Sequence, residues 1–469
     1  MYFWNLRLLS PWFDEADELI FLRGSLANSI NIPATGGHPP LYFAVIYYWM
    51  RLPLGLDWAV QARTLSVLFA LAATIAADRF WARDLPSRWR WTFLSLWTLS
   101  PFLLLYSRMS RSYSLQLLIG TVVLGLLARS NLNIKTLAAW LTVGVYVHPV
   151  PGFSLLAATN LLLIFRRRFR DILWIDAIVG ILYLPWLFRL LSFLPTWGAG
   201  GGNLYALTGR LWIEIPVKFA YWAFSFTLGE AVPDSALLCE ILIGIGVAIL
   251  LITGALRRPS LVWIAAPAAL IGFIGVARWN SYPFIPARMI FLYPVFLMLI
   301  VTGAEAHRRL GPPILAGLLA VTLSGIWCYF HLAGFRNKQY PMPEADIAAQ
   351  IRRESPPEGY AVLVDSTNAD PIGLEYQLGP VLETKEPTTP AALDRAIQDP
   401  KIRTIWFLRN THDVSADQLD RQFEQTLTQA MHETVYPIEP FTPLEIKVAQ
   451  AAGVKDPPRY FQELLKFEK

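Results

Sequence analysis

Charge is scarce in this sequence. Only 16% of its 469 residues are Asp, Glu, Lys or Arg, where a soluble chain of this length would carry about 25%. The deficit is uneven. Residues from about 60 to 335 form a series of long apolar runs, and residues 336–469 read as an ordinary soluble domain. A wholly soluble protein is thereby excluded, in line with a mean hydropathy of +0.40. Cysteine is almost absent. Cys239 and Cys328 both lie inside apolar runs, which reads as packed thiols and not as a disulfide or a metal site. The net charge is only +5, with arginines clustered in short loops. That pattern speaks for membrane topology and against nucleic-acid binding. The sequence also lacks internal repeats and low-complexity segments, and its tail from 336 on holds nothing resembling a phosphate loop or a metal cluster.

What is present is a membrane pattern. A spanning helix needs about 20 largely apolar residues. About ten runs qualify, some of them short: 63–82, 91–107, 112–129, 136–148, 152–165, 172–193, 236–256, 261–277, 287–304 and 313–333. One set of alternate loops is short and basic, as in "RRRFR" at 166–170, and is expected in the cytoplasm. The other set holds "LLYSRMSRSY", "YVHPVPG", a Gly-rich stretch at 195–235 and "ARWNSYPFIPAR", and is expected outside. Residues 1–62 and the tail 336–469 then share the outer side. A start outside the membrane with no preceding span is hard to insert. A first helix therefore reads as missing, through a truncated or misassigned start.

Within residues 1–62, the apolar part of "HPPLYFAVIYYWMRLPLGL" is short for a span. It reads as an interfacial helix with Tyr42, Phe43, Tyr47, Tyr48 and Trp49 at headgroup level. "LWIEIPVKFAYWAFSF" at 211–226 reads as a second interfacial or a re-entrant helix. In the tail, helices are predicted at 343–354, 390–398 and 415–431, and strands at 360–365 and 402–409. That is a small α/β domain, with Asp365 and Asp370 after its first strand.

The outer segments carry the chemistry. "SPWFDEADEL" holds four acids beside Trp12 and Phe13. Those two rings would dock the loop at the headgroups and partly desolvate an acid, raising its pKa toward the range of a general base. Solvated charge and cation binding are the other readings of the acids. Around them the outer loops offer His38, Arg63, Arg108, Arg111, Arg278 and Arg288. Any one arginine could simply snorkel to headgroups. As a set they suit a lipid-borne phosphate, which guanidinium binds in a bidentate manner.

Six motifs recur in order: "PWFDEA", "HPPLYF", "ARTLSVLFA", "SPFLLLYSRMSRSY", "YVHP" and "ARMIFLYP". In these the chain resembles the GT-C glycosyltransferases, over about residues 10–335. More narrowly, it resembles the bacterial branch related to protein O-mannosyltransferases and the lipid A aminoarabinose transferase. The resemblance implies a polytopic α-helical membrane protein of GT-C fold with a small C-terminal α/β extracytoplasmic domain, in the bacterial inner membrane. It implies an inverting enzyme that takes a sugar from a polyprenyl-phosphate donor and passes it to an extracytoplasmic lipid, glycan or protein. Carried over by motif, Asp14 is the base, with Glu15 beside it to orient the acceptor or hold a cation. His38, Arg63, Tyr106, Arg111, Tyr113, His148 and Arg288 are the candidates for donor phosphate and substrate. The resemblance specifies no cofactor, and a divalent cation is allowed. Asp17 and Glu18 lie past the motif and are expected to be solvated. Many relatives have an acid where this chain has Met109 or its neighbours. A transporter or flippase for lipid-linked sugars, which would need ionisable residues in its spans, and a polytopic sensor are the alternatives.

Overall fold

The computed structural model describes residues 1–129, 131–197, 211–233, 236–279, 285–336, 340, 344–356, 359–365, 372–384, 388–410, 417–440, 446–447 and 460–469. Asp370, residues 198–210 and 234–235 of the Gly-rich stretch, and the side chains of Phe13 and Arg278 lie outside what is described. The chain forms two compact units. The first comprises Met1–Leu8 and Phe21–Asn337, and the second Leu9–Ile20 and Lys338–Lys469.

Helix α1 (Phe13–Phe21) begins in the second unit. In the first unit follow α2 (Leu26–Thr35), α3 (Pro40–Trp49), α4 (Trp58–Ala77), α5 (Ser87–Thr98), α6 (Pro101–Ser107), α7 (Tyr113–Leu127) and α8 (Ile134–Val147). Then come α9 (Pro149–Phe165), α10 (Phe169–Trp197), α11 (Leu211–Leu228), α12 (Leu237–Arg257), α13 (Pro259–Trp279), α14 (Tyr293–Ala306) and α15 (Gly311–Phe330). Among the described residues, five stretches are long and apolar enough to cross a membrane: Trp58–Ala82, Phe169–Ser192, Leu238–Arg257, Pro286–Ala306 and Gly311–Phe330. The apolar helices Tyr113–Leu127, Ile134–Val147, Pro149–Phe165 and Pro259–Phe273 are shorter.

Two runs expected as single helices are broken. The run 91–107 divides into α5 and α6, because Pro101 has no N–H to continue α5. Ser100 caps the new start, its Oγ accepting the Leu103 N–H at 3.2 Å. The run 287–304 opens with a 3₁₀ segment, Pro286–Leu292, before α14 begins. The aromatics of α3 also depart from the interfacial expectation. Tyr42 and Phe43 are buried with Ile46 in the protein, and Tyr48 is the exposed one. Trp49 is tied to the start of α4, donating from Nε1 to the Gln61 carbonyl at 2.7 Å.

Helix α7 lies close against the 3₁₀ segment. A Cβ built on Gly120 would fall 2.3 Å from the Phe291 carbonyl oxygen, so only glycine admits this approach.

The second unit adds α16 (Glu344–Glu354), α17 (Ile372–Leu378), α18 (Thr389–Gln398) and α19 (Asp417–Ala430) to a five-stranded sheet. Its strands are β1 (Tyr360–Val364), β2 (Leu382–Glu383), β3 (Thr404–Asn410), β4 (His432–Pro440) and β5 (Tyr460–Glu468), in the order β2-β1-β3-β5-β4. β1 pairs in parallel with β2 and β3, and β5 pairs antiparallel with β3 and β4. Side chains alternate along the strands. Leu363, Ile405 and Phe407 meet α18 and α19 on one face. Val362, Val364 and Trp406 meet α16 and α17 on the other.

Candidate functional site

His148 sits where α8 ends and α9 begins. Its Nδ1 accepts the Val150 N–H at 3.2 Å and caps α9. In the neutral ring the proton is therefore on Nε2, which makes that nitrogen a donor. Burial pushes the imidazole pKa well below its ordinary value, and the positive fields of His38, Arg288 and Arg111 push it the same way. Those three partners come from distant motifs. His38 precedes α3, with its ring centroid 5.7 Å from that of His148. Arg111 lies in the non-helical break between α6 and α7, and Arg288 in the 3₁₀ segment. His38, Arg111 and Arg288 are each half-buried. One basic cluster thus unites "HPP", "SRMSRSY", "YVHP" and "ARMIF".

Arg63 and Arg108 form a second, deeper pair. Arg63 is 3% exposed and donates from Nη1 to the Leu6 carbonyl at 2.7 Å. Arg108 donates from Nη2 to the Asn5 carbonyl at 2.5 Å, and its guanidinium lies 5.1 Å from the ring centroids of both Tyr329 and Phe330. Burial lowers the Arg108 pKa, the Tyr329 hydroxyl opposes this, and the nearby Arg63 charge adds to the lowering. One turn beyond Arg63, Ser66 Oγ reaches the Arg111 carbonyl at 3.5 Å. Arg63 therefore stands behind the basic cluster and binds the N-terminal backbone.

Tyr106 and Tyr113 flank the Arg111 break and meet edge to face, 5.4 Å between centroids. The Tyr106 hydroxyl donates to Glu230 Oε1 at 3.1 Å. Ser225 Oγ donates to the same oxygen at 2.6 Å, and the Tyr221 hydroxyl donates to Oε2. Sequence groups Arg108 with the outer arginines that suit a phosphate but gives Glu230 no part in the site. Arg108 was visible in its motif. Glu230 had only one signal, that of a lone acid between apolar helices.

In the second unit, Asp14 and Glu15 open α1. Asp14 is half-buried and shares its helical face with Asp17, while Glu15 is 1% exposed. Glu18, expected in solvent, is fully buried, as are Ala16 and Leu19. The i+3 spacing from Glu15 places it on the covered side of a short helix. Trp12, expected among headgroups, is 2% exposed and packs edge-on against Tyr340 at 5.6 Å. Ser10 Oγ accepts the Ala345 N–H at 3.2 Å, meeting a free donor at the start of α16. The acid-bearing segment is thus built into the C-terminal unit.

No known protein family and no curated protein matches this sequence. Likeness appears in structure. The crystal structure of ArnT from Cupriavidus metallidurans in the apo state superposes with a TM-score of 0.56 at 12% identity, over 99% of this chain and 95% of that one. ArnT from the same organism bound to undecaprenyl phosphate superposes with the same TM-score and coverages, at 13% identity. The chain has the GT-C fold. Within this fold, four of the ordered motifs meet in the first unit at His38, Arg111, His148 and Arg288. Among the described residues, no group of three or more His, Cys, Asp or Glu side chains is placed to hold a metal ion.

Proposed function

We propose that the protein is an inverting glycosyltransferase that moves a sugar from a polyprenyl-phosphate donor to a lipid, glycan or protein acceptor on the outer face of the bacterial inner membrane. The observation that carries the reading is the cluster of buried His148 with half-buried His38, Arg111 and Arg288, in a fold shared with ArnT, whose structure holds undecaprenyl phosphate. Arginine forks and imidazole N–H groups suit the oxygens of a phosphodiester. Holding the phosphate neutralises the charge that grows on it as the bond to the anomeric carbon breaks. Asp14 takes the proton from the attacking acceptor hydroxyl or amine, whereas Glu15, expected to orient the acceptor, is buried in the structure. Attack from the face opposite the phosphate inverts the anomeric carbon. The electron pair of the broken bond leaves on the polyprenyl phosphate.

The transporter alternative has less to stand on. Asp78 is engaged by Arg90 through two contacts of 2.8 Å, and Asp176 accepts from Asn160 at 2.9 and 3.0 Å. Both acids therefore read as structural ties between helices.

The clamp is tested by Arg111→Ala and Arg288→Ala in the purified protein, with binding of undecaprenyl phosphate as the readout. Each lost charge-assisted contact should cost about 1.5–3 kcal/mol, with expression and thermal unfolding little changed. Wild-type affinity in both variants would remove the clamp.

A further inference from the structure

Glu230 is 1% exposed, and the reaction assigned above does not use it. Its backbone is held rigidly. Gly229 before it turns at φ +86° and presses on the start of α6, where a Cβ would fall 2.7 Å from Pro101 Cβ. Behind it, the Arg336 N–H donates to the Glu230 carbonyl at 2.8 Å, and Val232 and Gly334 are joined by a second bond of 2.8 Å. A carboxyl buried on such a turn needs hydrogen bonds to offset desolvation. Ser225 and Tyr221 supply two from the preceding helix, five and nine residues away. The third donor, Tyr106, is 124 residues away in sequence. That bond joins the α11–α12 turn to the end of α6.

The consequence lies one residue beyond. Ser107 closes α6, and residues 108–112 form the break that carries Arg111 before Tyr113 opens α7. Tyr106 and Tyr113 meet across that break. The Tyr106 ring is thus tied to Glu230 at its hydroxyl and touches Tyr113 at the far end of the break. Burial raises the Glu230 pKa, and the three hydroxyl bonds oppose that rise. In either charge state the carboxyl keeps oxygens to accept from Tyr106.

We propose that Glu230 is a positioning residue for the phosphate clamp, holding Tyr106 by its hydroxyl and thereby setting where the 108–112 break presents Arg111. The proposal rests on the clamp reading above, and its test separates the two. The full chain is purified as Glu230→Gln, Tyr106→Phe, the double variant and Tyr221→Phe. Undecaprenyl phosphate is the probe, and amide hydrogen exchange is followed over residues 106–113. Glu230→Gln and Tyr106→Phe should each weaken binding about tenfold, and the double variant no further, because both break one link. Tyr221→Phe removes a local donor and should leave binding near wild type. Exchange over 106–113 should speed up in the first two variants and not in Tyr221→Phe. Independent losses that multiply in the double variant, or unchanged exchange in both single variants, overturn the proposal. If the wild type does not bind undecaprenyl phosphate, the clamp reading falls, and exchange alone still decides whether Glu230 fixes the break.

Discussion

The His148 ring carries its hydrogen on Nε2 because the Val150 N–H occupies Nδ1. Burial and the charges of His38, Arg288 and Arg111 keep it neutral. The sign of the pH effect follows. In the unfolded chain a histidine takes a proton below about 6.5, and the folded ring resists it until lower pH. Its contribution to stability is therefore full above about 6.5 and is lost as pH falls toward the depressed folded value. An anionic donor cancels part of the arginine field, raises the His148 pKa and makes binding take up a proton. Affinity for a polyprenyl phosphodiester, which does not itself titrate in this range, should rise as pH falls from about 7.5 to about 5.5. His148→Asn keeps a capping acceptor for Val150 and removes the titration. Binding measured across that range should show a shallower slope in the variant. An unchanged slope would mean that His148 does not feel the phosphate.

At the scale of elements, Gly120 gives the most direct test of how the site is held. Gly120→Ala places a methyl where the Phe291 carbonyl stands, and overpacking of this kind costs about 1–3 kcal/mol. Because the displaced segment carries Arg288, thermal unfolding and undecaprenyl phosphate affinity should both fall. Stability lost with affinity intact would show that Arg288 is placed by something else.

Much at this scale was legible in the sequence. Strands expected at 360–365 and 402–409 appear as β1 and β3, and the three helices expected in the tail appear as α16, α18 and α19. These have clean periodicity between turn signals. β5 was not legible. "YFQELLKFE" is rich in helix formers, and it is a strand because it lies between β3 and β4, with Leu465 opposite Phe407 and Val435. Its Lys466, only 8% exposed, is paired with Glu354 at 3.0 Å and Glu468 at 2.9 Å. The Pro101 break was readable from proline chemistry, yet continuous hydrophobicity hid it. In the site, the motif residues were legible one by one. The tie from Tyr106 to Glu230 was not, because it spans 124 residues and no local pattern announces it.

For the whole molecule, the alternation of basic loops predicts an outward C-terminus. A reporter active only outside the cytoplasm, fused after Lys469, should be active. Activity of a cytoplasm-only reporter at that point would invert the topology and put Asp14 on the wrong side for its proposed chemistry. The central claim is glycosyl transfer with Asp14 as base. Its most direct test is sugar transfer from a polyprenyl-phosphate donor by the reconstituted full chain, compared with Asp14→Asn and Asp17→Asn. Both acids lie on the half-exposed face of α1, so general damage to the helix would affect the two alike. Asp14→Asn keeps the shape and removes the basicity. It should slow transfer by about 10²–10⁴-fold with donor binding intact, while Asp17→Asn stays near wild type. Undiminished transfer by well-folded Asp14→Asn, or equal losses in the two variants, would contradict the assignment.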